Sequence, residues 1–111
     1  MTLHFTINYQ AQWGQQLAVL YAADADITTA SPVTLPMDCH GNSEWSAQVT
    51  LSDIHKYISY CYVVLDEQGN ILRRESVPHL LECQPGNIVL RSFWQDKSQS
   101  LFASKVFSQV L

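Results

Sequence analysis

The feature that most constrains this chain is an alternation of apolar and polar residues with a period of two. The segments that show this alternation, or an apolar run rich in β-branched and aromatic residues, are 3–9, 17–21, 33–37, 45–51, 57–65, 71–75 and 87–92. Period two is the side-chain repeat of a β-strand, and no convincing helical period occurs before the C-terminal tail. The sequence therefore predicts an all-β fold, an antiparallel immunoglobulin-like sandwich of about seven short strands.

Turn and loop signals divide these segments. Residues 57–65 are apolar on both faces, which is typical of a central strand. Residues 67–70, Glu-Gln-Gly-Asn, predict the turn of a hairpin because Gly and Asn tolerate a positive φ. The polar segments 22–31 and 38–44 are expected to be exposed loops.

A length of 111 residues with 47% hydrophobic residues predicts one globular domain. We expect the sandwich to occupy residues 1–94. Residues 95–111 differ, because a polar stretch is followed by several apolar residues. Such a tail would either lead toward a following domain of a longer protein or pack on the sheet.

The charge pattern disfavours two classes of partner. The net charge is −4 and the chain has only six Lys and Arg, too few to form a surface for nucleic acid or for an anionic membrane. No apolar run approaches the roughly 20 residues that cross a bilayer, and the N-terminus lacks the features of a signal peptide. Three cysteines cannot all pair, and none is in a CxxC spacing, so we expect a reducing compartment, the cytoplasm.

Catalytic and metal-binding patterns are weak in this chain. It has no nucleophile elbow, no Gly-rich phosphate loop and no His-x-Glu motif. Asp38, Cys39 and His40 are contiguous, and contiguous ligands do not easily converge on one tetrahedral metal. The carboxylate pairs Asp24/Asp26 and Asp66/Glu67 lie in loops or turns, where solvated charge is the usual explanation. We expect no catalysis, no metal and no other cofactor.

The tryptophans are more informative. Trp13 precedes Gly14 in a turn, which is expected to place its side chain at the surface. There it would offer a flat platform for the apolar face of a sugar; the alternative is that it covers the end of the core. Trp45 alternates in phase with Val49 and is expected in the core. Trp94 follows the last strand and is expected to seal the edge of the sandwich, whereas Cys61 is expected to be a small core residue.

The chain resembles carbohydrate-binding module family 20, the starch-binding domains. The resemblance lies in Trp-Gly-Gln-Gln-Leu at 13–17, Trp-Ser-Ala-Gln-Val-Thr-Leu at 45–51, Tyr-Cys-Tyr-Val-Val at 60–64, Arg-Glu-Ser-Val-Pro-His at 74–79 and Phe-Trp-Gln-Asp at 93–96. The resemblance covers nearly the whole chain. Within the family, the chain is most similar to the N-terminal module of 4-alpha-glucanotransferases, the amylomaltase relatives. It implies a non-catalytic module that binds α-glucan or maltooligosaccharide, with further domains of the parent enzyme following it.

The first glucan site of that family is degenerate in this chain. Cys61 stands where the resemblance implies a lysine, Arg74 where it implies a tryptophan, and His79 where it implies an asparagine. The loop 22–31 also lacks the tryptophan of that site. Without stacking surfaces, this site is expected to be lost.

The second site of the family uses an aromatic residue at the position of Trp13 and a loop that corresponds to residues 38–44. Trp13 is retained, while the loop offers Asp38, Cys39, His40 and Asn42. The resemblance therefore implies weak carbohydrate binding through Trp13, Asp38, His40 and Asn42.

A rival hypothesis is an interaction module that has lost its affinity for sugar. Arg73, Arg74 and the apolar tail would then contact a following domain or a second copy of the chain. An unrelated immunoglobulin domain is disfavoured, because the Cys…Trp…Cys spacing is missing.

Overall fold

The computed structural model describes residues 1–28, 31–41 and 43–95. The strands are β1 (Thr2–Asn8), β2 (Gln16–Ala23), β3 (Val33–Pro36), β4 (Asp38–His40), β5 (Glu44–Thr50), β6 (Tyr57–Leu65), β7 (Ile71–Arg74), β8 (His79–Glu82) and β9 (Asn87–Ser92). The described residues contain no helix, and so none that is long and apolar enough to span a membrane.

Two sheets form the predicted sandwich. The first has the order β4-β5-β1-β9, and the second has the order β3-β2-β6-β7, with β8 also paired to β6. All pairs are antiparallel except β1 with β9, which is parallel. The all-β class is confirmed, and the described ranges contain nine strands in place of the predicted seven or so.

Two of the predicted boundaries were wrong. Residues 38–44 are not all loop, because Asp38–His40 form β4, whose Cys39 pairs with Trp45 of β5. The segment 22–31 is not all loop either, since β2 extends to Ala23 and Ile27 is buried. Both β4 and β8 are too short to show alternation, and pairing with a longer neighbour is what makes each a strand.

The core lies between the sheets and follows the alternation of β1. Leu3, Phe5 and Ile7 are buried, and Ile7 pairs with Trp45. The Trp45 side chain is 7% exposed, and its indole N–H donates to the carbonyl of Tyr9 at 3.1 Å. The prediction of a core tryptophan is confirmed, and the hydrogen bond removes the cost of burying its one polar group.

The strand β6 is buried on both faces, as its composition predicted. Tyr60, Tyr62 and Val64 belong to the core between the sheets, whereas Cys61 and Val63 belong to a second cluster on the outer face of the β3-β2-β6-β7 sheet. Burial raises the pKa of the Cys61 thiol, which keeps it protonated and unreactive. The expectation that Cys61 is a buried core residue is confirmed.

The predicted hairpin connects β6 to β7. Asp66 Oδ1 accepts hydrogen bonds from the backbone N–H groups of Gln68 and Asn70, and Gly69 has a φ of 85°. The hydrogen bond from the Asn70 N–H is the main cause of the lowered pKa of Asp66. The bond from the Gln68 N–H, two residues on, is the hydrogen bond of an Asx turn. The Asp66 carboxylate therefore stabilises the hairpin turn.

Two predictions concern parts of the chain outside the described residues. Residues 96–111 of the predicted tail are outside the described residues, and so is Asn42 of the predicted second site.

Trp94 packs against the core, and its ring lies 4.9 Å from the ring of Tyr9. This position agrees with its predicted place at the edge of the sandwich.

Candidate functional site

The loop between β1 and β2 presents Trp13 to solvent. The N–H of Gln12 donates to Gln15 Oε1 at 2.9 Å, and the N–H of Gln15 donates back to the Gln12 carbonyl at 3.0 Å. These two bonds close a tight turn, and the Trp13 side chain at its tip is 100% exposed. The predicted exposure is confirmed, and covering the end of the core is excluded.

Gly14 allows this turn to form. Its φ of 84° lies in the left-handed region, and an added Cβ would lie 2.7 Å from Glu67 Oε1. The turn between β6 and β7 therefore packs closely against the loop that carries Trp13. A site around Trp13 would have Glu67 as a neighbour, which sequence reasoning did not identify, because the contact joins residues that are far apart in the chain.

The strand β4 lies at the same end of the sandwich. His40 pairs with Glu44, which in turn pairs with Asn8 at the end of β1, where the Trp13 loop begins. Asp38 and His40 are both exposed, and His40 Nε2 lies 2.8 Å from Ser46 Oγ. The topology thus places His40 at the end where the Trp13 loop begins, and Asp38 two residues before it in β4.

The described residues at this end do not form a cluster of metal ligands. Among the residues with described placement, no group of three or more His, Cys, Asp or Glu is arranged to hold a metal ion. The Cys39 Sγ lies 3.7 Å from the carbonyl of Gly41, within its own strand and turn.

The three residues of the degenerate site lie in two adjoining clefts. Cys61 and Arg74 line one cleft of about 180 Å³, whose other walls are Ile27, Thr28, Glu75, Ser76 and Pro78. His79 lines the second cleft of about 380 Å³, together with Asp26, Tyr57, Ser59, Pro78 and Leu80. The first is smaller than the roughly 300 Å³ from which small-molecule sites begin. Two of its polar residues also have partners within the chain, since the Thr28 hydroxyl donates to Asp26 Oδ1 and the Glu75 carboxylate accepts from the N–H groups of Tyr62 and Gln95.

Glu75 is the residue at this place that sequence reasoning missed. Its carboxylate is buried and accepts hydrogen bonds from the N–H of Tyr62 at 2.8 Å and from the N–H of Gln95 at 2.6 Å. His79 Nε2 lies 3.0 Å from Glu75 Oε1, and the His79 ring stacks on Tyr60 with 4.8 Å between centroids. No periodic signal marks a single buried glutamate, because its partners come from other strands.

Arg73 is also held within the chain. Its guanidinium lies 4.6 Å from the centre of the Trp94 ring and 5.7 Å from that of Tyr9, and it donates to the Tyr9 hydroxyl at 2.8 Å. A cation over aromatic faces stabilises this edge of the sandwich. The assignment of Arg73 to an intermolecular interface therefore loses support.

The acidic residues of the first long loop have structural partners. Asp24 has a φ of 54°, and its Oδ1 accepts from the N–H groups of Lys56 and Tyr57. The hydrogen bond from His55, 3.0 Å away, is the main cause of the lowered pKa of Asp24. Asp26 Oδ1 accepts from the N–H and hydroxyl of Thr28. Each carboxylate therefore accepts hydrogen bonds that hold its own part of the loop.

Comparison with known proteins finds a relative by sequence. No family model matches the chain. A 4-alpha-glucanotransferase of Oryza sativa subsp. japonica is 31% identical over 122 aligned positions, which take in the whole chain but only 13% of that protein. This chain thus spans about an eighth of the relative.

Two solved structures share the fold. A glycoside hydrolase family 15 glucoamylase from Hypocrea jecorina aligns with a TM-score of 0.60 and 17% identity, over 86% of this chain and 17% of that one. A gamma-CGTase from alkalophilic Bacillus clarkii aligns with a TM-score of 0.63 and 14% identity, over 85% of this chain and 15% of that one. The sandwich described above therefore recurs as a small part of two larger proteins.

Proposed function

We propose that this domain is a non-catalytic module that binds α-glucan or maltooligosaccharide as part of a 4-alpha-glucanotransferase. The observation that carries the proposal is the 31% identity to such an enzyme along the entire chain. The resemblance to starch-binding domains and the shared sandwich of a glucoamylase and a gamma-CGTase support it. The parent enzyme and its following domains would carry the chemistry.

Trp13 is the proposed contact with sugar. A fully exposed indole on a closed turn needs little reorganisation to stack on a glucose ring. Asp38, His40 and Asn42, the last outside the described residues, would supply hydrogen bonds. Cys61 and His79 are proposed to contribute nothing, because the thiol is buried and His79 is bonded to Glu75. Arg74 offers no stacking surface, and one hydrogen bond from its guanidinium would add only about 0.5 to 1.5 kcal/mol net.

The expected affinity is low. One aromatic stack adds about 0.5 to 1.5 kcal/mol beyond area burial, and one hydrogen bond about 0.5 to 1.5 kcal/mol net. A millimolar Kd already requires about 4.1 kcal/mol. We therefore expect millimolar or weaker binding by the isolated domain.

The test is a titration of the domain with maltoheptaose and β-cyclodextrin, followed by NMR chemical shifts. Trp13→Ala should abolish binding, whereas Phe93→Ala, at another exposed aromatic side chain, should leave it unchanged. Micromolar binding that survives Trp13→Ala would contradict the assignment of the site. It would place the ligand in the clefts beside Arg74 or His79.

The rival is an interaction module, and the observation that favours it is a set of exposed apolar side chains. Ile54, Leu80 and Phe93 are each more than 70% exposed, and burial of such side chains against another domain would be favourable. This hypothesis is supported if the unmodified domain binds no glucan and if Arg74→Glu weakens the association of the domain with the following domain. Arg91→Glu, on the other sheet, is the matched control.

We also propose a reducing location such as the cytoplasm. Cys39, Cys61 and Cys83 are all free thiols, which supports that location.

A further inference from the structure

Two turns lie side by side at the end of the sandwich that carries Trp13. Gln16 begins β2 and pairs with Leu65, the last residue of β6. Because the two strands are antiparallel, the residues just before Gln16 and those just after Leu65 leave the sheet at the same end. The Trp13 loop and the β6–β7 hairpin turn are therefore neighbours.

The side chain of Glu67 bridges the gap between these two turns. A Cβ added to Gly14 would lie 2.7 Å from Glu67 Oε1, which is closer than real Cβ atoms approach another heavy atom. Any side chain at position 14 would therefore have to displace the carboxylate. Trp13 directly precedes Gly14, with about 3.8 Å between their Cα atoms, so the carboxylate lies beside the backbone that carries the exposed indole.

The fold does not use this carboxylate. The hairpin turn is closed by Asp66, whose Oδ1 accepts from the N–H groups of Gln68 and Asn70 and whose carbonyl accepts from the N–H of Gly69. Glu67 is exposed, and among the residues that the structure describes its side chain has no hydrogen-bond or ion-pair partner. An acceptor is thus held next to the Trp13 loop with its lone pairs free.

The chemistry of the two side chains is complementary to a neutral sugar. An indole packs against the apolar C–H face of a glucose ring, and the hydroxyl groups at the rim of that ring are hydrogen-bond donors. An ionised carboxylate only accepts hydrogen bonds, and a hydroxyl that donates to it forms a stronger, charge-assisted bond. Both turns are closed by their own hydrogen bonds, so little ordering remains to be done when the ligand arrives.

We propose that Glu67 is a second binding residue for the α-glucan at Trp13. The indole stacks on one glucose ring, and the Glu67 carboxylate accepts hydrogen bonds from hydroxyl groups of that glucose or of the next one. The role of Glu67 rests on the proposed function of Trp13 and adds to it a polar contact from the β6–β7 turn.

The experiment is a titration of the 111-residue chain with maltoheptaose, followed by NMR chemical shifts. Glu67→Ala should raise the Kd at least about threefold, because a charge-assisted hydrogen bond is lost. Glu67→Gln keeps the length of the side chain and one neutral acceptor, and should raise the Kd less. Gln68→Ala, at the next exposed residue of the same turn, and Glu82→Ala, which removes the same charge from β8, should leave the Kd unchanged.

A second measurement separates contact with sugar from support of the loop. In the unaltered chain, labelled with carbon-13 at the glutamate carboxyl groups, the Glu67 Cδ signal is assigned by its loss in Glu67→Gln. That signal should shift during the titration with the same Kd as the indole N–H of Trp13, while the Glu82 signal stays in place. A Glu67 signal that does not move would show that the carboxylate does not touch the ligand and would overturn the proposal.

The two levels of the proposal fail in different ways. If Trp13→Ala abolishes binding while Glu67→Ala leaves the Kd unchanged or lowers it, the role of Glu67 is overturned and the Trp13 site stands. If the unaltered chain binds no maltoheptaose, the proposed function is overturned and the role of Glu67 with it.

Discussion

Glu75 Oε1 lies 3.0 Å from Nε2 of His79, and the same carboxylate joins three parts of the sandwich. It accepts from the N–H of Tyr62 in β6 and of Gln95 after β9, and is itself 3% exposed. A buried carboxylate with several donors stabilises a fold only while those donors remain. Glu75 is therefore expected to be structural, although it lies beside the degenerate glucan site.

Replacement of Glu75 should destabilise the domain. Glu75→Ala removes the acceptor for two N–H groups, and each buried donor left unpaired costs about 1 to 3 kcal/mol. We expect the free energy of unfolding in urea to fall by about 2 to 6 kcal/mol. Glu75→Gln keeps one acceptor oxygen and should lose less. Glu82→Ala, at an exposed glutamate of β8, should change stability by less than about 0.5 kcal/mol, and an equal loss there would contradict the argument.

The two tryptophans should differ sharply in their contribution to stability. Trp45→Ala truncates a core aromatic residue and should cost about 3 to 5 kcal/mol in the free energy of unfolding. Trp13→Ala removes a side chain that touches solvent only and should stay within about 0.5 kcal/mol. Urea denaturation of both variants measures the difference, and similar losses would show that the Trp13 loop contributes to the core.

Quenching by acrylamide offers an independent test of the same contrast. In chains that each retain a single tryptophan, Trp13 should be quenched strongly and Trp45 only slightly, because one is 100% and the other 7% exposed. Added maltoheptaose should protect Trp13 in proportion to the sites occupied. Protection of Trp45 in its place would contradict the proposed contact.

Stability should fall in alkaline solution. Burial raises the pKa of Tyr62 and that of Tyr60. The unfolded chain then loses these protons near pH 10 while the folded chain still holds them. The stabilisation is therefore complete below about pH 10 and is lost as the pH rises further.

Absorbance of tyrosinate and urea denaturation between pH 8 and 12 check this expectation. Tyr62→Phe should flatten the alkaline decline at the cost of the hydrogen bond from its hydroxyl to Ser92 Oγ at 3.0 Å. Tyr57→Phe, at a more exposed tyrosine, should leave the decline unchanged. An unaltered decline in Tyr62→Phe would show that another group is responsible.

Local pattern in the sequence determined the fold class, the two-sided burial of β6, the hairpin at Gly69 and the contrast between Trp13 and Trp45. Each depends on strand periodicity or on turn chemistry, which act over a few residues.

The tertiary structure decided the parallel pairing of β1 with β9, the short strands β4 and β8, and the packing of Glu67 against Gly14. The same is true of the burial of Glu75, whose donors lie 13 and 20 residues away. Contacts of this kind join segments that are distant in the sequence. The local sequence of one segment does not specify which other segment will pack against it, so these contacts could not be predicted from periodicity or turn residues.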